Sequence, residues 1–303
     1  MTSEATGNWQ LATGNRQLAT GNWQLREDVT IRALIFDLDD TLLVQDARDD
    51  EVILAVGEQA AARHGIDPAA LPRAVRQQAR QIWYDAPTGP YCQAIGIGSV
   101  EGLWARFHGQ GDDADPHLAS LRRWAPVYRR VMWSRALADC GVDDAPLAEA
   151  LAEGFMRERR LRHVVFPEVE AVLQDLRRQG YLLAILTNGA PDLQREKVQG
   201  LGLSSLFDAI VVSGEVGIGK PDPRIFAHVL EALDVTPAQA AMIGDNPLRD
   251  IVGAQAAGIY AVWLNRTGAV LEGVAPPDAE ITSLTDLRAI LPQTASVHPI
   301  ASE

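Results

Sequence analysis

Two aspartates one residue apart, Asp37 and Asp39, close a short apolar run at 31–36 (IRALIF), and Thr41 follows them. Side chains alternate along an extended chain, so both carboxylates point the same way. One can attack while the second handles protons, and both can face a metal. The D-x-D-x-T pattern is too short to mean much alone, and its place at the end of an apolar run is what gives it weight. Thr187-Asn188-Gly189 follows a second such run, YLLAIL at 181–186. A hydroxyl, an amide and a glycine-exposed backbone can all donate to phosphate oxygens, or they can simply start a helix capped by Thr or Asn. Lys220 stands in GKPDP at 219–223. Two prolines stiffen the chain around Asp222, and Pro223 suits a first helical turn. A lysine held just before them is a fixed point charge for phosphate; a solvated surface lysine is the bland alternative. GDNPLRD at 244–250 follows AAMI. Asp245 falls at the strand end and Asp250 about a turn into a helix, oxygen ligands of the kind that suit magnesium. An N-cap aspartate and a solvent-facing one would explain them as well. Each bland alternative stands singly; all four together require coincidences in order, each at a strand end.

The elements that position these clusters follow from periodicity. Apolar runs at 31–36, 181–186, 209–212, 240–243 and 260–264 read as buried strands. The segments 168–179, 192–201, 223–233 and 248–257 carry helical spacing. Strands alternating with helices specify an α/β fold, a Rossmann-like parallel sheet with helices on both faces. The stretch 46–162 has no convincing strand and reads as helices at 49–64, 69–84, 100–108, 116–138 and 146–161. An all-helical block between the first strand and the rest is an insertion, expected over the carboxyl edge of the sheet where such folds place their sites. The catalytic core is then 29–45 and 163–293, with the helical cap at 46–162 and a flexible tail at 294–303. At the other end, ATGNWQL, ATGNRQL and ATGNWQL repeat in tandem over 5–25. Each unit has a glycine and no paired apolar seam, so residues 1–28 read as a disordered tail, dispensable for folding and catalysis.

The chain has 303 residues, 47% of them apolar, and a net charge of −13. Such a surface repels nucleic acid and anionic membranes, so neither is expected as a partner. An anionic substrate then needs a local device, and a divalent cation with a lysine would serve. No apolar run approaches the roughly 18 residues of a membrane span, and no secretory signal is evident. The two cysteines, Cys92 and Cys140, have no CxxC spacing, which fits a cytoplasmic setting.

In their order and spacing these residues resemble the haloacid dehalogenase-like hydrolase superfamily. DLDDT is similar to its first motif, LTNG to its second, the GKPDP lysine to its third and GDNPLRD to its fourth. The stretch LTNGAPDLQREKVQGLGLSSLFDAIVVSGE also resembles the branch containing N-acylneuraminate-9-phosphatase and related nucleotide phosphatases. The resemblance covers about 30–291 and implies a magnesium-dependent phosphatase acting on a small phosphorylated metabolite, a sugar phosphate or a nucleotide monophosphate. Asp37 would be the nucleophile and Asp39 the general acid and base. Thr187, Asn188 and Lys220 would hold phosphate. Magnesium would sit on Asp37, the Asp39 carbonyl and Asp245, with Asp250 supporting the metal or Lys220. The protein would be a monomer or homodimer. Rival readings on the same fold are a phosphomutase, a metal-free 2-haloacid dehalogenase and a catalytically silent binding protein. Asp39 argues against the dehalogenase, since release of halide needs no general acid. In the helical block Arg76, Arg80, Trp83, Tyr84, Trp104, Arg106, Arg122, Arg123 and Trp124 are candidates to grip the substrate, each also explicable as a surface charge or a core aromatic.

Overall fold

The computed structural model describes residues 31–67, 69–108 and 115–291. The tails expected at 1–28 and 294–303 lie outside them. Strand β1 (Ala33–Phe36) is buried along its whole length. The chain then runs through α1 (Asp46–His64), α2 (Ala70–Asp85), α3 (Gly89–Ile95), α4 (Pro116–Asp139) and α5 (Ala145–Arg160) before it returns to the sheet. From there helices and strands alternate: α6 (Val169–Arg178), β2 (Leu182–Thr187), α7 (Pro191–Gly200), β3 (Ala209–Val212), α8 (Ser213–Val216), α9 (Pro223–Leu233) and β4 (Ala240–Gly244). A π-helical turn, Pro247–Ile251, leads into α10 (Val252–Ala256), followed by β5 (Tyr260–Leu264), β6 (Ala279–Ile281) and α11 (Leu287–Ile290).

The strands form one parallel sheet in the order β3-β2-β1-β4-β5-β6. Because β1 lies between β2 and β4, the order reverses at that junction, and a crevice opens there at the carboxyl ends of the strands. The strands are apolar throughout because both faces are covered. Leu34, Phe36, Leu183, Ile185, Ile243 and Val262 face α6, whose Val169, Val172, Leu173 and Leu176 fall at helical spacing. Ala33, Ile35, Ala184, Leu186, Met242 and Ala261 face α9, through Ile225, Phe226 and Val229. Helices α1 to α5 bury a third apolar cluster, including Trp83, Tyr128, Trp133 and Phe155, which Ala190 and Leu193 at the start of α7 join.

The helix expected at 100–108 does not form. Only a 3-10 turn, Glu101–Leu103, is present, and the missed α3 precedes it. Gly102 lies against the Trp83 ring, where an added Cβ would collide. Phe107 closes the segment at φ 58°. Strand β6 and helix α11 were also not anticipated; at three and four residues they are too short to show a period. No helix among the described residues is long and apolar enough to cross a membrane.

Candidate active site

A cavity of about 330 Å³ opens at the β1/β4 junction, floored by the strand ends and walled by the inserted helices. The backbone N–H of Asp37 still donates to Ile243 O at 2.9 Å, so Asp37 extends β1 into this floor. Lys220 Nζ lies 2.6 Å from Asp37 Oδ1 and 2.7 Å from Asp250 Oδ1, and also donates to Leu186 O at 2.7 Å. The ammonium is nearly fully buried, hydrogen-bonded to Asp37 and Leu186 and ion-paired with Asp250. Asp245 leaves β4 beside them. Its N–H donates to Thr41 Oγ1 at 3.2 Å, and its carbonyl accepts from Trp263 Nε1 at 2.9 Å. Asn246 caps the π-helical turn by accepting from Leu248 N and Arg249 N, both at 3.1 Å. Its own N–H donates to Asp250 Oδ2 at 3.0 Å, which aims that carboxylate back at the floor. Oxygens of Asp37, Asp245 and Asp250 all come within 4.8 Å of one another.

Asn188, expected to donate to phosphate, lines the cavity, and its side-chain amide also braces Lys220. Nδ2 donates to Lys220 O at 2.9 Å, and Oδ1 accepts from Lys220 N at 2.8 Å. Gly96 of the inserted block, at φ 75°, packs against this same amide with no room for a Cβ. Thr187, fully buried, accepts at Oγ1 from Gln194 Nε2 at 2.6 Å. Asp39 shares the cavity wall with Asp37, but its carboxylate turns to α7. Lys197 Nζ reaches both of its oxygens at 2.9 Å, and Gln194 Nε2 donates to Oδ2 at 3.0 Å. Lys197 also donates to Glu101 Oε1 of the inserted block at 2.8 Å. Lys197, Gln194 and Glu101 were missed by sequence reasoning. The one available signal is that Gln194 and Lys197 stand three residues apart, on one face of the helix that follows LTNG.

The carboxylates resist ionising together. Burial, opposed by Lys220 and reinforced by Asp250 and Asp39, pushes Asp37 up to about 7. Burial and then the proximity of Asp37 and Asp250 push Asp245 up to about 9. Burial pulls Lys220 down, but Asp250 and Asp37 more than offset it, and its pKa ends raised. Hard oxygen donors that repel one another at this range form a set that a divalent cation would complete.

Outside the floor, a second buried network joins the block to the core. Arg159, on α5, meets Asp49 Oδ1 at 2.5 Å and Gln45 Oε1 at 2.7 Å, and its guanidinium lies over the Trp104 ring at 4.6 Å. His163 sits beside that ring. Burial, then the Arg159 and Lys197 charges, hold its pKa down at about 4. The unfolded chain, with an ordinary histidine, binds this proton near pH 6.5, and the folded protein binds it only near pH 4. Stability therefore falls as pH drops through that window. His163→Asn should flatten this slope in melting temperature; parallel curves for the two proteins between pH 6.5 and 4 would rule the contribution out.

Of the candidates in the helical block, Arg76 and Tyr84 line the cavity. Trp83 and Trp104 are fully buried core residues, and Trp124 packs on Trp83 and Tyr128. Arg80, Arg106, Arg122 and Arg123 are not among the lining residues. A second, mostly apolar groove of about 490 Å³ lies along α1, lined by Leu54, Ala55, Glu58, Ala61, Ala62 and Ile66.

Comparison with known proteins agrees with this geometry. Over 258 residues, 85% of this chain and 98% of the other, the sequence is 43% identical to the phosphoserine phosphatase of Thermus thermophilus. Over 164 residues, 52% of this chain, it is 39% identical to the N-acylneuraminate-9-phosphatase of Rattus norvegicus; that match spans 65% of the rat protein, just under two thirds. Among solved structures, a 2-haloacid dehalogenase from Pseudomonas syringae matches over 86% of this chain and 98% of its own, at 29% identity and a TM-score of 0.51. The model of the haloacid dehalogenase-like hydrolases matches residues 31–258. The strand order, the position of the four motifs at one end of the sheet and this match over most of the sequence have one explanation: the chain belongs to the haloacid dehalogenase-like hydrolase family.

Proposed function

We propose that this chain is a magnesium-dependent phosphoric monoester phosphatase that works through an aspartyl-phosphate on Asp37. The observation that carries the reading is the seat of Lys220. It bridges Asp37 and Asp250 beside Asp245 on the cavity floor, a fixed cation next to carboxylates able to hold a second one. Asp37, Asp245 and the Asp39 carbonyl would hold magnesium, with Asp250 supporting it. Bound there, the metal supplies positive charge to the phosphoryl oxygens. Everything else falls to the chain itself. Lys220 gathers charge on the transferring group, and Thr187 offers its hydroxyl. Asp37 attacks phosphorus in line, dividing the hydrolysis into two easier steps. Asp39 protonates the departing alcohol, then takes a proton from the water that cleaves the aspartyl-phosphate. The inserted helices at 46–162 act as a cap that excludes bulk water. A dehalogenase shares the fold but needs neither the proton donor nor the carboxylate cluster, and the phosphatase reading uses both.

The leaving group meets the wall formed by Tyr84, Arg76 and Arg249. Arg76 is engaged by Asp50 at 2.8 Å and by Asp46 O at 2.9 Å. Arg249 makes no ion pair among the described residues. Phosphoserine and N-acylneuraminate 9-phosphate, the substrates that the two relatives' names imply, each carry a carboxylate on the alcohol. The proposed substrate class is therefore a small phosphomonoester with a carboxylate on its leaving group, read by Arg249. A panel of phosphoserine, N-acylneuraminate 9-phosphate, glycerol phosphate and nucleoside monophosphates tests it. The carboxylated members should be preferred, and Arg249→Ala should raise their KM by about 10–100-fold, the worth of one charged hydrogen bond. It should leave p-nitrophenyl phosphate hydrolysis unchanged. Preference for glycerol phosphate, or an unmoved KM in the variant, would remove the carboxylate from the proposal.

A further inference from the structure

Lys197 is fully buried on α7, yet nothing in the four motifs assigns it a task. Its three ammonium protons are all spent: both oxygens of Asp39 at 2.9 Å, and Glu101 Oε1 at 2.8 Å. A buried ion pair is weak evidence for a stabilising role, because apolar residues of similar size often do as well. A buried lysine held between two carboxylates therefore calls for another reason. The partners supply one. Asp39 is the residue that the proposed chemistry uses to move protons. Glu101 belongs to the inserted helical block, and its other oxygen accepts from Gly98 N at 2.8 Å. Gly98, Val100 and Glu101 line the cavity. Gln194, one turn before Lys197, adds its own bond to Asp39 Oδ2. Both oxygens of the carboxylate are thus held from α7, and α7 is fastened through one ammonium to the loop that covers the site.

We infer that Lys197 is a positioning residue for the reaction, one that fixes the Asp39 carboxylate at the cavity wall beside Asp37 and ties it through Glu101 to the inserted block. The proton donor is then in place when the block lies over the substrate. This inference rests on the proposed role of Asp39, and its test separates the two. Phenyl phosphate and p-nitrophenyl phosphate have nearly the same shape, but phenoxide departs poorly without a proton while p-nitrophenolate departs well. The quantity to follow is kcat/KM, which covers events up to formation of the aspartyl-phosphate.

Lys197→Met should lose at least about ten times more kcat/KM on phenyl phosphate than on p-nitrophenyl phosphate, a part of the roughly 10²–10⁴-fold worth of a general acid. Asp39→Asn should show the same selectivity, and adding Lys197→Met to it should not deepen that selectivity, since the two act as one unit. Glu101→Gln keeps the shape but weakens the bond to Lys197, and its selective loss should be smaller and of the same sign. If Lys197→Met does not fold, Lys197→Gln and Glu101→Gln carry the same comparison. Equal losses on both substrates, with a selective Asp39→Asn, would mean that Lys197 is merely structural, and the inference fails alone. No selectivity in Asp39→Asn itself would instead take down the acid–base role of Asp39, and the positioning role with it.

Discussion

Asp37→Asn should reduce turnover by at least about 10⁴-fold, the scale expected when a covalent nucleophile is lost. The amide keeps an oxygen for Lys220, 2.6 Å away in the native protein, so the pocket keeps its shape. It also removes one charge from a crowded set in which Asp37 helps to push Asp245 up to about 9. The variant should therefore melt no lower than the native protein in the absence of metal. Acid-quenched native enzyme should carry phosphate on the peptide containing Asp37, and the variant should carry none. A folded variant with substantial activity, or label on another residue, would replace the covalent mechanism with direct attack by water.

Removal of divalent cations should abolish activity, and added magnesium should restore it. Asp37, Asp245 and Asp250 bring oxygens within 4.8 Å of one another, and Lys220 is ion-paired with Asp37 and Asp250. With the cation gone, the charge that would neutralise the phosphoryl oxygens is lost, and burial with the neighbouring carboxylates raises the pKa of Asp37 and so weakens it as a nucleophile. Binding to the folded state alone also stabilises it, so magnesium should raise the melting temperature as its concentration passes the dissociation constant. Asp245→Asn should shrink that rise. Full activity after exhaustive chelation would favour the metal-free dehalogenase chemistry whose fold this chain shares.

Sequence alone went far toward the site because the signals there are local. The apolar runs before Asp37, Thr187 and Asp245 read as strands, and β1, β2 and β4 are adjacent in the sheet with their ends on one edge. The prolines around Asp222 marked a helix start, and α9 begins at Pro223 with Asp222 accepting from Arg224 N at 2.9 Å. These features depend on neighbours a few residues away, which a linear reading can see. The expected helix at 100–108 is instead a 3-10 turn, Glu101–Leu103, whose Gly102 packs on the Trp83 ring from a distant helix, a contact no linear reading shows.

Once parallel strands are specified, their carboxyl ends converge whatever else the chain does, so the order of residues by itself determined the α/β sheet, the inserted helical block and the meeting of Asp37, Lys220, Asp245 and Asp250. The division of labour around them was left to tertiary structure. Asn188 also braces Lys220, and Arg249 lines the wall without an ion pair among the described residues. Lys197 joins Asp39 and Glu101, partners 158 and 96 positions away along the chain. Nothing in a lysine's neighbours marks it for burial between two carboxylates at such separations. That placement is decided only when α7 packs under the inserted block and water leaves, because in water the same ammonium would be free to point anywhere.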